Sequence, residues 1–166
     1  MIFLILILIF VIWVVCIKLS VVAKKNRTLH SFSNLDKLLQ ERYKAVQVLL
    51  NLVKTNLTSE AQLAEYSEKL MAEAVALGTK LQNIDRRIAY DRELVKNTEQ
   101  IIAAIGENSS NNELIAAVEE YNRLSVPVKH AVEKYNADAH ILRVAVDTFP
   151  SSFIARLSKI RYIDTI

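Results

Sequence analysis

The chain has 166 residues, room for one domain beside any membrane segment, with an apolar fraction of 52% and a formal charge of +3. Only two glycines and two prolines occur, and because turns and sheet bends draw on those residues, the composition favours a few long helices. The positive charge does not mark a nucleic-acid binder: Lys18, Lys24, Lys25 and Arg27 precede every acid, and the remainder holds 17 basic against 18 acidic residues.

Residues 1–17, MIFLILILIFVIWVVCI, are apolar without a charge, and Leu19 to Ala23 extend them past Lys18. A bilayer core about 30 Å thick needs roughly 20 helical residues, which Ile2 to Val22 supplies. Lys18 is placed to run its stem along lipid with its ammonium among headgroups. A cleaved secretory signal fits less well, since no basic residue precedes the apolar run and Val21-Val22-Ala23 is a poor cleavage site. The nearby cations all follow the span, so the positive-inside rule places the N-terminus outside and residues 24–166 in the cytoplasm. Cys16, the sole cysteine, excludes an intramolecular disulfide and reads as apolar filler.

Residues 24–33 are polar and aperiodic, suited to a juxtamembrane hinge or a frayed continuation of the helix. Ser33 and Asp36 resemble a capping box. Leu35, Leu39, Val46, Leu49, Val53 and Leu57 then recur at helical spacing, with Arg42 at the margin of the stripe and its guanidinium in solvent. Thr58 or Ser59 is the expected N-cap of the next helix. One seam there holds Leu63, Leu70, Leu77, Ile84 and Ile105, and its companion Ala74, Leu81, Ile88, Val95 and Ile102, with Ser67, Asp91 and Thr98 as polar members. An unbroken helix over 58–105 would be about 70 Å long against about 37 Å for residues 33–57, so a break near Gly78–Asn83 is preferred.

GENSSNNE (106–113) reads as a loop, with Gly106 a C-cap and Ser110 with Glu113 a second capping box. The last heptad runs Leu114, Tyr121, Val128, Tyr135, Leu142 and Phe149, beside Val118, Val132, Ala139 and Val146. Pro127 either kinks this helix or opens a new one, and Phe149-Pro150 ends it. The spaced aromatics Tyr121, Tyr135 and Phe149 are expected to pack in the core rather than line a groove. The amphipathic tail docks on the bundle or lies on an anionic membrane surface, docking being the simpler reading.

Little in the sequence suggests chemistry. His130 and His140 lack the three- or four-residue spacing of helical metal ligands. Two isolated glycines cannot form a phosphate loop. Arg87 and Asp91 read as an i,i+4 pair on a solvated face.

SNLDKLLQERYKAVQVLLNLVK supplies Ser33, Leu35, Asp36, Leu39, Arg42, Val46, Leu49 and Leu50, and YNADAHILRVAVDTFPSSFIA supplies Tyr135, Asn136, Ala139, Val146, Phe149, Pro150 and Ala155. With the apolar start, these resemble the bacterial LemA family, whose members carry a membrane helix, an S-x-I-D-x-x-L-x-x-R segment and a C-terminal Y-N…F-P series. The chain departs from that pattern at Leu142-Arg143, Gln47-Val48 and Glu41, and residues 58–125 match only in helical character. The resemblance implies a bacterial cell-membrane protein with an antiparallel four-helix bundle and an extracytoplasmic N-terminus. Its family-motif positions are Asp36, Arg42, Tyr135, Asn136, Phe149 and Pro150, and it brings no established reaction or ligand.

The expectation is therefore all-α: a transmembrane helix over 1–23, a linker over 24–32, an up-and-down LemA-like bundle over 33–150 and a short tail over 151–166. Its partners would be the lipid bilayer through residues 2–23 and an unknown protein, with self-association left open. No nucleic acid, small-molecule substrate, cofactor, metal or catalytic residue is expected. A non-enzymatic scaffold or adaptor is the first reading, a membrane-remodelling or self-assembling structural protein the second, and an enzyme with a spatially assembled site the third.

Overall fold

The computed structural model describes residues 2–78, 83–108 and 111–160. Among them every regular element is helical: α1 (Ile2–Asn56), a 3-10 turn (Thr58–Glu60), α2 (Ala61–Ala76), α3 (Ile84–Asn108), α4 (Asn112–Asp147) and α5 (Ser151–Leu157). The chain forms two compact units, a terminal one (Met1–Asn34 with Val132–Ile166) and a central one (Leu35–Ala131).

α1 is one helix of 55 residues, about 80 Å long at 1.5 Å per residue. It contains no glycine or proline to interrupt its hydrogen bonds. Residues 24–32 are thus helical, resolving the hinge-or-continuation alternative. Ser33 is no N-cap, because Thr28, Ser31 and Phe32 are buried against α4 and hold the preceding turns in the helix. Tertiary packing has overridden a local capping signal.

The central unit is a four-helix bundle built from residues 35–56 of α1, α2, α3 and residues 112–131 of α4. Leu35, Leu49, Leu50 and Val53 of α1 are wholly buried, as are Ala64 and Ala74 of α2 and Ile101 of α3. Each leucine so buried is worth about 1.5–3 kcal/mol over leaving it in water. Side-chain contacts tie the helices together. Lys54 of α1 pairs with Glu68 of α2, and the Tyr66 hydroxyl of α2 donates to Glu93 of α3 at 2.7 Å. The Asn111 amide, at the start of α4, donates to Asn56 at the end of α1 at 3.3 Å.

The helix break falls where expected, since α2 stops at Ala76 and α3 begins at Ile84. Gly78 has φ +61°, a left-handed conformation costly for any residue with a Cβ. Its amide donates to Val75 at 3.0 Å. The Asn83 amide donates to the Leu77 carbonyl at 2.9 Å, satisfying an orphan acceptor of the helix end. Leu81, an expected seam residue, lies outside the described residues, as does Ser110.

Three local expectations need correction. The turn after α1 starts at Leu57 and α2 follows from Glu60, each without a side-chain cap, so neither Thr58 nor Ser59 caps α2. Gly106 lies inside α3, which continues to Asn108. The cap of α4 is Asn111, whose Oδ1 accepts the Glu113 amide at 2.9 Å. Pro127 lies within α4 rather than opening a new helix. Its missing N–H leaves the Arg123 carbonyl without its helical donor, and nearby the Ser125 hydroxyl donates to the Tyr121 carbonyl at 2.9 Å.

In the terminal unit, α4 and α5 pack against α1. Tyr135 is wholly buried with its ring 5.7 Å from that of Phe32. Val21 of α1, Ala155 of α5 and Ile160 just beyond α5 form an apolar cluster, joined by Ile17, Val22 and Val146. Among the described residues, α5 and Ile160 therefore dock on α1 near the end of its apolar run.

Candidate functional site

Three features stand out. The first is the bare apolar start of α1. From Ile2 to Trp13 every large apolar side chain is exposed, Ile2 at 77% and Trp13 at 47%. This is the one candidate span among the described residues, a helix long and apolar enough to cross a membrane. A run hydrophobic all round and unpacked by protein has no stable partner in water.

The second is a set of buried charges in the central unit. An Arg42 terminal guanidinium nitrogen donates to both Asp91 oxygens, at 2.5 and 2.7 Å. Arg87 is ion-paired with Asp36, which also accepts the Gln40 amide at 2.9 Å. The side chains of Arg87 and Asp36 are only 3% and 7% exposed. Arg87 further donates to the Gly78 carbonyl at 3.3 Å, tying α3 to the end of α2. Arg42 therefore does not reach solvent, and Arg87 and Asp91 do not form a pair on a solvated face. Each instead meets an opposite charge on α1 or α3, because an unpaired charge at this depth would cost several kcal/mol.

Tyr43 lies beside this set. Its hydroxyl is near Asp91 but does not make a good hydrogen bond. Burial above all, and then the neighbouring Asp91 carboxylate, push its pKa well above the ordinary tyrosine value, against the opposing pull of Arg87. Tyr121 is raised as well, chiefly by burial. On the surface, the Arg123 hydrogen bond holds Glu120 below the usual carboxylate range.

The third is Asp138 in the terminal unit. Its buried carboxylate accepts from Ser31 and lies 2.6 Å from Arg27 Nε, while its carbonyl accepts the Thr28 hydroxyl at 3.1 Å. Sequence reasoning passed over this residue, although an acid three positions after Tyr135, beside the seam residue Ala139, was the available signal.

The motif positions are distributed accordingly. Asp36 and Arg42 join the buried charges through Arg87 and Asp91, and Tyr135 is core. Asn136 is half-buried beside it. Phe149 is 80% exposed and does not continue the aromatic seam, because α4 ends at Asp147. Pro150 stands at the N-cap position of α5, after a cis Phe149–Pro150 bond. His130 and His140 are exposed. Among the described residues, no group of three or more His, Cys, Asp or Glu side chains is placed to hold a metal. No family model, curated protein or solved structure matches the chain.

Proposed function

We propose that this protein is a membrane-anchored, non-enzymatic scaffold of the LemA type. Residues 2–22 of α1 span a bacterial cell membrane, the N-terminus faces outward, and the helical bundle holds a protein partner on the cytoplasmic side. The observation that carries this reading is the continuity of α1, whose exposed apolar run passes without a break into residues that form the core of the central unit.

In-cell photo-crosslinking from Val48, which is 55% exposed on the bundle surface, tests the scaffold directly. A recurrent partner captured at the membrane is expected. Recovery of nothing beyond abundant contaminants contradicts the reading. Orientation is checked with Glu119→Cys in a Cys16→Ala background: protection from an impermeant thiol reagent in intact cells is expected, and labelling reverses the assigned side.

A further inference from the structure

The tail is only half accounted for by its packing. Ile154 and Ala155 of α5 are buried, and the cluster with Val21 uses that face. The other face presents Phe153 at 61% and Leu157 at 68% exposure, one helical turn apart and hence on the same side. Phe149, two residues before the helix, is a third large apolar side chain left exposed, at 80%. Soluble surfaces scatter such residues singly, whereas a contiguous group marks an interaction site.

Where α5 is docked says what covers it. Val21 lies near the end of the apolar run. The rise from Ile2 to Val21 is about 29 Å, close to the thickness of a bilayer core. Cations cluster at the same end: Lys18 is exposed, Lys24 donates to Ser20 at 2.8 Å, and Arg156 and Lys159 are exposed on the tail itself. Leu19, at the same level of α1, is 62% exposed. Apolar side chains bordered by cations, at the boundary of a span, match the chemistry of an anionic lipid surface.

We propose that α5 is an interfacial foot. Phe149, Phe153 and Leu157 enter the headgroup–acyl boundary of the leaflet around residues 17–22, while Arg156 and Lys159 meet anionic phospholipid headgroups. This rests on α1 spanning the bilayer and adds a second contact with the same membrane, one that restricts rotation of the terminal unit about the bilayer normal.

The test uses the full chain in nanodiscs of mixed phosphatidylglycerol and phosphatidylcholine. A Cys16→Ala, Phe153→Cys variant carries an environment-sensitive fluorophore, and a Cys16→Ala, Glu119→Cys variant is the reference. Lipids spin-labelled high on the acyl chain are expected to quench the tail label at least about twofold more than the reference. Trp13, the only tryptophan, reports on the span through quenching by lipids brominated deep in the chain. Trp13 quenched with the tail label unquenched leaves the span standing and overturns the foot. Neither quenched overturns both. A blue-shifted tail label untouched by lipid quenchers shows that protein, such as a second copy, covers the face, and also overturns the foot. Adding Arg156→Gln and Lys159→Gln is expected to weaken tail quenching in anionic discs but not in pure phosphatidylcholine, and equal quenching throughout contradicts the headgroup contact.

Discussion

Arg42 of α1 and Asp91 of α3 meet at 2.5 Å, although α2 lies between their helices in the chain. Asp36 and Arg87 join the same two helices, and both pairings ascend together, so α1 and α3 run parallel. That is the direction an up-and-down bundle gives its first and third helices. A slip of α3 by one turn would leave charges buried without partners.

Breaking one member of a pair should therefore be costly. Arg87→Met is expected to destabilise the central unit by about 3–5 kcal/mol, because Asp36 is left charged and buried. The double substitution Asp36→Leu with Arg87→Met should recover most of that loss, since apolar replacement of a whole buried pair is often neutral or stabilising. Denaturant titration of the full chain in detergent, followed by circular dichroism, measures both.

Tyr43 gives a pH signature. Its folded pKa lies above the unfolded value, so the folded state retains a proton that the unfolded state releases. This contribution is complete below the ordinary tyrosine pKa of about 10 and is lost as pH rises above it. Tyr43→Phe should leave a shallower fall in stability above that pH, with little change in slope at neutral pH. Paired melts of wild type and variant across the alkaline range report the difference, and identical slopes would contradict it.

Asp138 should act as the polar fastener of the terminal unit. Asp138→Ala removes the acceptor of Ser31 and the partner of Arg27. A loss of about 1–3 kcal/mol is expected, mainly from the stranded Ser31 hydroxyl. Hydrogen exchange should quicken at residues 132–147 of α4. Arg27→Ala should cost at least as much, because it leaves the Asp138 carboxylate, 1% exposed, without its cation, although the Arg27 side chain itself is 66% exposed.

The seams of α1 and α4 were readable from their apolar residues. Leu35, Leu39, Val46, Leu49 and Val53 are all buried, as are Leu114, Tyr121, Val128, Tyr135 and Leu142. The frame of α3 was harder. Ile88, Val95 and Ile102 are half-buried, and the deeper companions are Arg87, Leu94 and Ile101. A hydrophobicity pattern cannot place arginine inside, because its burial depends on a carboxylate far away in sequence. Asp36 hid in the same way behind a local capping pattern that Ser33 never uses. Phe149 holds a heptad position but lies outside the core, because α4 ends two residues before it, at Asp147.

The most direct measurement of the central claim is alkaline carbonate extraction of membranes from cells expressing the full chain and a variant lacking residues 2–23. The full chain should stay in the membrane pellet and the shortened one should pass to the supernatant, since about 20 apolar helical residues are enough to hold a span in lipid. Release of the intact full chain into the supernatant would contradict the anchored account.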